Sequence, residues 1–213
     1  MQRMLLRFAL RDDLKYLSHL EMSRAMARAM RRAGLPIAFS QGFNPHQRLY
    51  FWHAMPVGVE AREDIVEVWL RETVTPDDVA ARLNEAMPPG MEVFEAVEVG
   101  DDEPKLTRRF TYALYVITVA NAAQTEAADD AAEALRKGFV DEDGEIIRAA
   151  TGSGHTEIWL LASHREEGPR LRKLAMRAAD CLGTAPESAT IVRQGVYPSR
   201  AAALEGNPGL NKI

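Results

Sequence analysis

One cysteine, Cys181, is all that 213 residues contain. A lone thiol excludes an intramolecular disulfide, a CxxC zinc ribbon and a three-cysteine iron–sulfur site made by this chain alone. It follows Leu171, Leu174, Ala175 and Ala178 at helical spacing, which predicts a core thiol. Long apolar runs are also missing, since none approaches the roughly 20 residues that cross a bilayer. The opening "MQRMLLRFALRDD" carries charges where a signal peptide keeps an apolar stretch. The expectation is a cytoplasmic protein with no membrane partner. Catalytic signatures are absent too: there is no HExxH, no P-loop, no GxSxG, and no GxGxxG between a strand and a helix.

What is present is an ordinary globular composition, 46% apolar, enough for one large domain or two small ones, each with a core. The net charge of −5 hides an asymmetry. Residues 1–50 hold 9 Lys/Arg against 3 Asp/Glu, whereas residues 60–103 hold 3 against 14. An acidic whole argues against indiscriminate coating of nucleic acid, but a basic N-terminal quarter can still form a local anion-binding face.

The first hundred residues read as strand, helix, strand, strand, helix, strand. "RMLLRFAL" suits a strand, and "SHLEMSRAMARAMRRAG" then switches to helical period with Met22, Ala25, Met26, Ala29, Met30 and Ala33 on one side. Ser18 with Glu21 makes a capping-box pattern, Gly34 a C-terminal stop, and Pro36 forbids continuation. "PIAFS", "RLYFWHAMPVGVE" and "DIVEVWLRE" are strand candidates. Thr75 and Pro76 open a second helix with Val79, Leu83, Ala86 and Met87 as its buried stripe, and "MEVFEAVEV" closes the unit. Polar "GDDEPKLTR", residues 100–108, reads as a domain linker. The order then repeats: "RFTYALYVITVA", a helix over 122–138 ended by Gly138, "GEIIRAATG", "HTEIWLLAS", a helix in "PRLRKLAMRAADCLG", and "ATIVRQGVY". The expected fold is α+β, with two tandem ferredoxin-like (βαββαβ) domains at 1–100 and 109–197 and a tail at 198–213 that crosses the surface or frays. Helices would cover one face of each antiparallel sheet and leave the other face, or a cleft, for a ligand.

Two stretches could carry chemistry. Arg24, Arg28, Arg31 and Arg32 fall opposite the Met/Ala stripe, a positive ridge of side chains that bind phosphate bidentately. The same ridge would serve solubility alone. Shortly after it comes "FSQGFNPHQRLYF", residues 39–51. There Gly42 allows close backbone approach, Asn44-Pro45 favours a turn, and Gln41, Asn44 and His46 could hydrogen-bond base edges, with Phe43 stacking on a base and Arg48 beside them. The plainer reading is a turn whose Phe43 packs on the core. His19 and His46 could act as general acid or base because imidazole titrates near neutrality. His19 equally fits a helix cap with no catalytic part. His53, His155 and His164 show no metal-ligand spacing, and no metal site is expected.

Residues 17–60, "LSHLEMSRAMARAMRRAGLPIAFSQGFNPHQRLYFWHAMPVGVE", resemble the radical-SAM-linked domain of unknown function. That bacterial family is fused to, or encoded beside, radical SAM proteins, often near ribonuclease E/G genes. Its SHLD motif stands here as Ser18-His19-Leu20-Glu21, and its SQGFNPHP as Ser40 to His46 with Gln47 for the second proline. The resemblance implies a radical SAM protein as partner, the iron–sulfur cluster residing there, and RNA as the material handled. The expectation is an accessory RNA-binding module with no activity and no cofactor of its own. The alternatives are a metal-independent RNA-processing endoribonuclease using His19 or His46, and a purely protein–protein interaction domain.

Overall fold

The computed structural model describes residues 1–120, 144–152, 154–164 and 170–207. The chain is α+β, its strands paired antiparallel, and it divides into two compact units, Met1–Arg109 and Phe110–Ile213. No helix among the described residues is long and apolar enough to cross a membrane.

In the first unit β1 (Gln2–Leu10) leads to α1 (His19–Arg32), then β2 (Leu49–Phe51), β3 (Val59–Leu70), α2 (Pro76–Ala86), β4 (Met91–Val99) and the one-turn α3 (Leu106–Arg109). Strands pair in the order β4-β1-β3-β2. The helix signals read from the sequence operate as written. Ser18 Oγ accepts from Glu21 N at 3.3 Å, and Glu21 Oε2 accepts from Ser18 N at 2.8 Å. At the other end Gly34, at φ +61, lets its own N–H reach Arg31 O and the Leu35 N–H reach Met30 O, a Schellman stop. Met22, Met26 and Met30 are fully buried, each contributing about 1.5–3 kcal/mol of burial. In α2 only Val79 and Leu83 are fully buried, with Ala86 and Met87 half-buried.

The long strand expected from Arg48 to Glu60 is not formed. Only Leu49–Phe51 pairs with β3, because Trp52 turns into the core, 1% exposed, and the chain swings through Pro56 and Gly58, at φ +88. Upstream, the chain makes a hairpin. Ile37 bridges Leu70, Phe39 bridges Gln47, and Arg48 N donates to Ala38 O at 2.8 Å. The polar segment expected to be a domain linker is held to the first unit, as Arg3 donates to the carbonyls of Gly100, Glu103 and Pro104 at 3.3, 2.7 and 2.9 Å.

The second unit contains β5 (Tyr112–Ala120), β6 (Glu145–Gly152), β7 (His155–Ser163), α4 (Leu171–Cys181), β8 (Ala189–Tyr197) and α5 (Arg200–Glu205), with strand order β8-β5-β7-β6. The helix expected over 122–138 lies outside the described residues. One expectation is corrected here and one is narrowed. Cys181 is exposed, because α4 ends at that residue and the chain turns away through Gly183, at φ +63. The tail does not simply fray: Ser199 caps α5 by accepting from Ala202 N at 3.1 Å, and Ala203 is buried against Leu114 and Leu161. Arg200 fastens it further, donating to both Glu145 oxygens at 2.7 and 2.8 Å.

Candidate nucleic-acid interface

Residues three and four apart return to one side of a helix. With Met22, Ala25, Met26, Ala29 and Met30 turned inward, Arg24, Arg28 and Arg31 stand exposed in one row. None of the three forms an ion pair with a described carboxylate. Glu21, three residues before Arg24, is hydrogen-bonded by the Ser18 hydroxyl and backbone N–H, which with a smaller contribution from the Arg24 charge hold its carboxyl below the usual range. Arg32 is differently employed. Its Nε donates to Ala86 O at 3.2 Å, and Nη2 reaches the same oxygen. That carbonyl lies in the last turn of α2, where helical partners run out. Three of the four expected arginines therefore form the open row.

α1 ends at Arg32, and the chain passes through Pro36, whose O accepts from Arg71 N just beyond β3, into the hairpin that carries residues 41–45. Ser40 and His46 close the tip. Ser40 N donates to His46 O at 2.8 Å, His46 N donates to Ser40 Oγ at 3.1 Å, and that oxygen lies 2.9 Å from His46 Nδ1. With the ends so clamped, Gln41, Gly42, Phe43 and Asn44 are all exposed. Gly42 takes φ +124, a backbone state that side chains strain to reach. Phe43 is 105% exposed, so it does not pack on the core.

The two candidate acid–base histidines are set apart. His19, at the first turn of α1, meets the Phe51 ring edge-on at 5.4 Å. His46 lies five residues before Phe51, at most about 16 Å away at about 3.3 Å per residue, with a bend at Arg48 where Leu49 N donates to Gln47 O at 2.9 Å. No contact joins the imidazoles. Among the described residues no three His, Cys, Asp or Glu side chains converge as metal ligands.

Arg48 stands elsewhere, over the Trp69 ring at 4.6 Å. It lines a cavity of about 480 Å³ together with Arg3, Tyr50, Phe51, Glu67, Trp69 and the segment from Asp101 to Thr107. Side chains alternate across a strand. Phe51 faces α1 through His19, so Tyr50 and its cross-strand neighbour Glu67 face the opposite side of the sheet. There the Glu67 carboxylate, 2% exposed, receives Arg3 at 2.9–3.2 Å and Arg109 at 2.7 Å. Tyr50 meets Trp69 edge-on at 5.2 Å. Apart from Arg48, sequence reasoning selected none of these residues for a site. The available signal was Glu67, an acid inside the apolar run "DIVEVWL".

No curated protein matches this chain. One family model, described as "Uncharacterized protein conserved in bacteria (DUF2344)", matches residues 3–158. That span covers most of the chain, including the arginine row, the hairpin tip and the cavity, and the protein belongs to this family.

Proposed function

We propose that this chain is an accessory RNA-binding module that presents RNA to a separate radical SAM enzyme, and that its two units are ferredoxin-like domains. The fold reading is supported by the strand orders β4-β1-β3-β2 and β8-β5-β7-β6, which place the first and third strands of each unit at the centre, as a split βαβ arrangement requires. The radical SAM partner rests on the motifs of residues 17–60.

The observation that carries RNA binding is the row Arg24, Arg28 and Arg31, exposed cations that form no ion pair with a described carboxylate, on the helix that leads to an exposed aromatic at Phe43. Proteins usually neutralise such a row by i, i+4 carboxylates. A phosphate backbone supplies the missing charge, and a base supplies a surface for the phenyl ring.

Fluorescence anisotropy with labelled single-stranded RNA tests this reading. Changing Arg24, Arg28 and Arg31 together to Glu abolishes binding and leaves the melting transition near that of wild type. Binding by the native protein weakens with salt at roughly 0.7 log units per log unit of salt for each phosphate neutralised, about 2 for three contacts. Salt-insensitive binding, or none to any RNA drawn from the native cell, defeats the reading. Affinity capture from that cell, followed by mass spectrometry, tests the partner.

A further inference from the structure

The cavity on the side of the first sheet opposite α1 takes no part in the arginine-row reading. From its lining we infer that it binds one nucleotide, the base against Tyr50 and the phosphate toward Arg48 and Lys105. The ligand class is the one proposed above; the site and its residues are not. Three observations converge on it.

The first is size and surface. About 480 Å³ lies inside the roughly 300–1,000 Å³ of small-molecule sites. Tyr50 is 45% exposed although its ring already meets Trp69 edge-on, so aromatic surface remains for a planar ligand.

The second is charge. The buried carboxylate of Glu67 is already satisfied by Arg3 and Arg109, and Glu103, a second acid of the lining, lies 3.6 Å from Arg109, so neither is paired with Arg48 or Lys105. Lys105 is exposed and has no ion-pair partner among the described residues. Arg48 is held in place by stacking on Trp69, which orients a planar fork suited to two phosphate oxygens. Asp101 and Thr107, also in the lining, can meet a base N–H or a ribose hydroxyl. A purely apolar ligand would leave these groups unmatched, and a bare inorganic anion would leave the aromatic surface unused.

The third is rigidity. The wall from Gly100 to Pro104 is pinned by three carbonyls accepting from Arg3, so binding need not first order a loop.

The nucleotide can come from two sources, free in solution or as an unpaired residue of a strand. The test is calorimetric titration of the full chain with each of the four ribonucleoside monophosphates, with inorganic phosphate, and with a short single-stranded RNA. Tyr50→Ala, Lys105→Glu and the combined Arg24→Glu, Arg28→Glu, Arg31→Glu variant are compared, each first shown to melt as wild type does. We expect a monophosphate to bind more tightly than inorganic phosphate, with about a tenfold loss in Tyr50→Ala and again in Lys105→Glu, and no loss in the arginine-row variant. If only RNA binding falls in Tyr50→Ala and Lys105→Glu, the occupant is a strand-borne nucleotide and the site stands. If monophosphate binds while RNA does not, the RNA reading fails and the cavity remains a nucleotide site. If neither ligand responds to Tyr50→Ala or Lys105→Glu, the inference is overturned.

Discussion

Arg3 and Glu67, on the adjacent strands β1 and β3, form a buried pair in which Arg3 Nη2 lies 2.9 Å from Glu67 Oε2, with the side chains 6% and 2% exposed. Arg109 donates to the other carboxylate oxygen at 2.7 Å, while the Arg3 ring contact with Trp69 spans 5.3 Å. One acid thus joins the two central strands of the unit to the segment that follows β4. Removing one member of a buried pair leaves a stranded charge, which typically costs about 3–5 kcal/mol, whereas replacing the pair by apolar side chains of similar volume is near neutral. Glu67→Ala is therefore expected to lower the urea midpoint severely, and Arg3→Met, Glu67→Leu and Arg109→Met together to lower it less. Equal losses would show that packing, not charge pairing, sets the cost.

Phe43 offers the opposite case. Its side chain is fully exposed at the hairpin tip, so Phe43→Ala should change stability by less than about 0.5 kcal/mol. A base stacked on that ring is worth about 1–3 kcal/mol by alanine substitution. Anisotropy titration should therefore show a loss of at least several-fold in RNA affinity without a change in melting temperature.

The same tip is clamped by Ser40 and His46. Ser40→Ala removes an exposed hydroxyl, so global stability should again move by less than about 0.5 kcal/mol. Amide exchange at residues 41–46 should accelerate, since the His46 N–H loses its acceptor. Unchanged protection would mean that the Ser40 N–H to His46 carbonyl bond holds the tip unaided.

Acid should release α5. Hydrogen bonding to the Arg200 guanidinium is the main cause that lowers the Glu145 carboxyl below its ordinary range. A carboxyl with a depressed folded-state pKa contributes stability above the ordinary carboxylate range and loses it as pH falls through the folded-state value. Exchange at residues 200–205 should therefore rise on acidification through that window, and Glu145→Gln should remove the pH dependence of that local opening.

Cys181 should react with a water-soluble thiol reagent in the native state at the rate of an exposed cysteine, because α4 ends at that residue and leaves it exposed. Protection until the protein is denatured would restore the core-thiol reading.

Much of the fold was legible because its signals are local. Ser18 with Glu21, Gly34 before Pro36, and Thr75 with Pro76 act within one turn of chain, so neighbours in sequence are sufficient to mark where helices begin and stop. The arginine row was legible for the same reason, since helical spacing alone puts Arg24, Arg28 and Arg31 together. The bond from Arg32 to Ala86 O was not legible, because that acceptor lies on another helix. The short β2 was overestimated because "RLYFWHAMPVGVE" has the composition of a strand, while burial of Trp52 decides where pairing ends.

By itself the sequence determined the α+β class, the alternation of strands and helices, the single thiol and the concentration of positive charge in the first fifty residues, since each follows from composition or from periods of two and 3.6 residues. Tertiary structure decided the rest: that Arg3 and Arg109 share one carboxylate at Glu67, that Arg48 stacks on Trp69 beside Tyr50 to bound a cavity, that Arg32 serves α2, and that α5 covers Leu114 and Leu161. These contacts join residues far apart in the chain, and only strand register and helix packing choose which distant side chains meet.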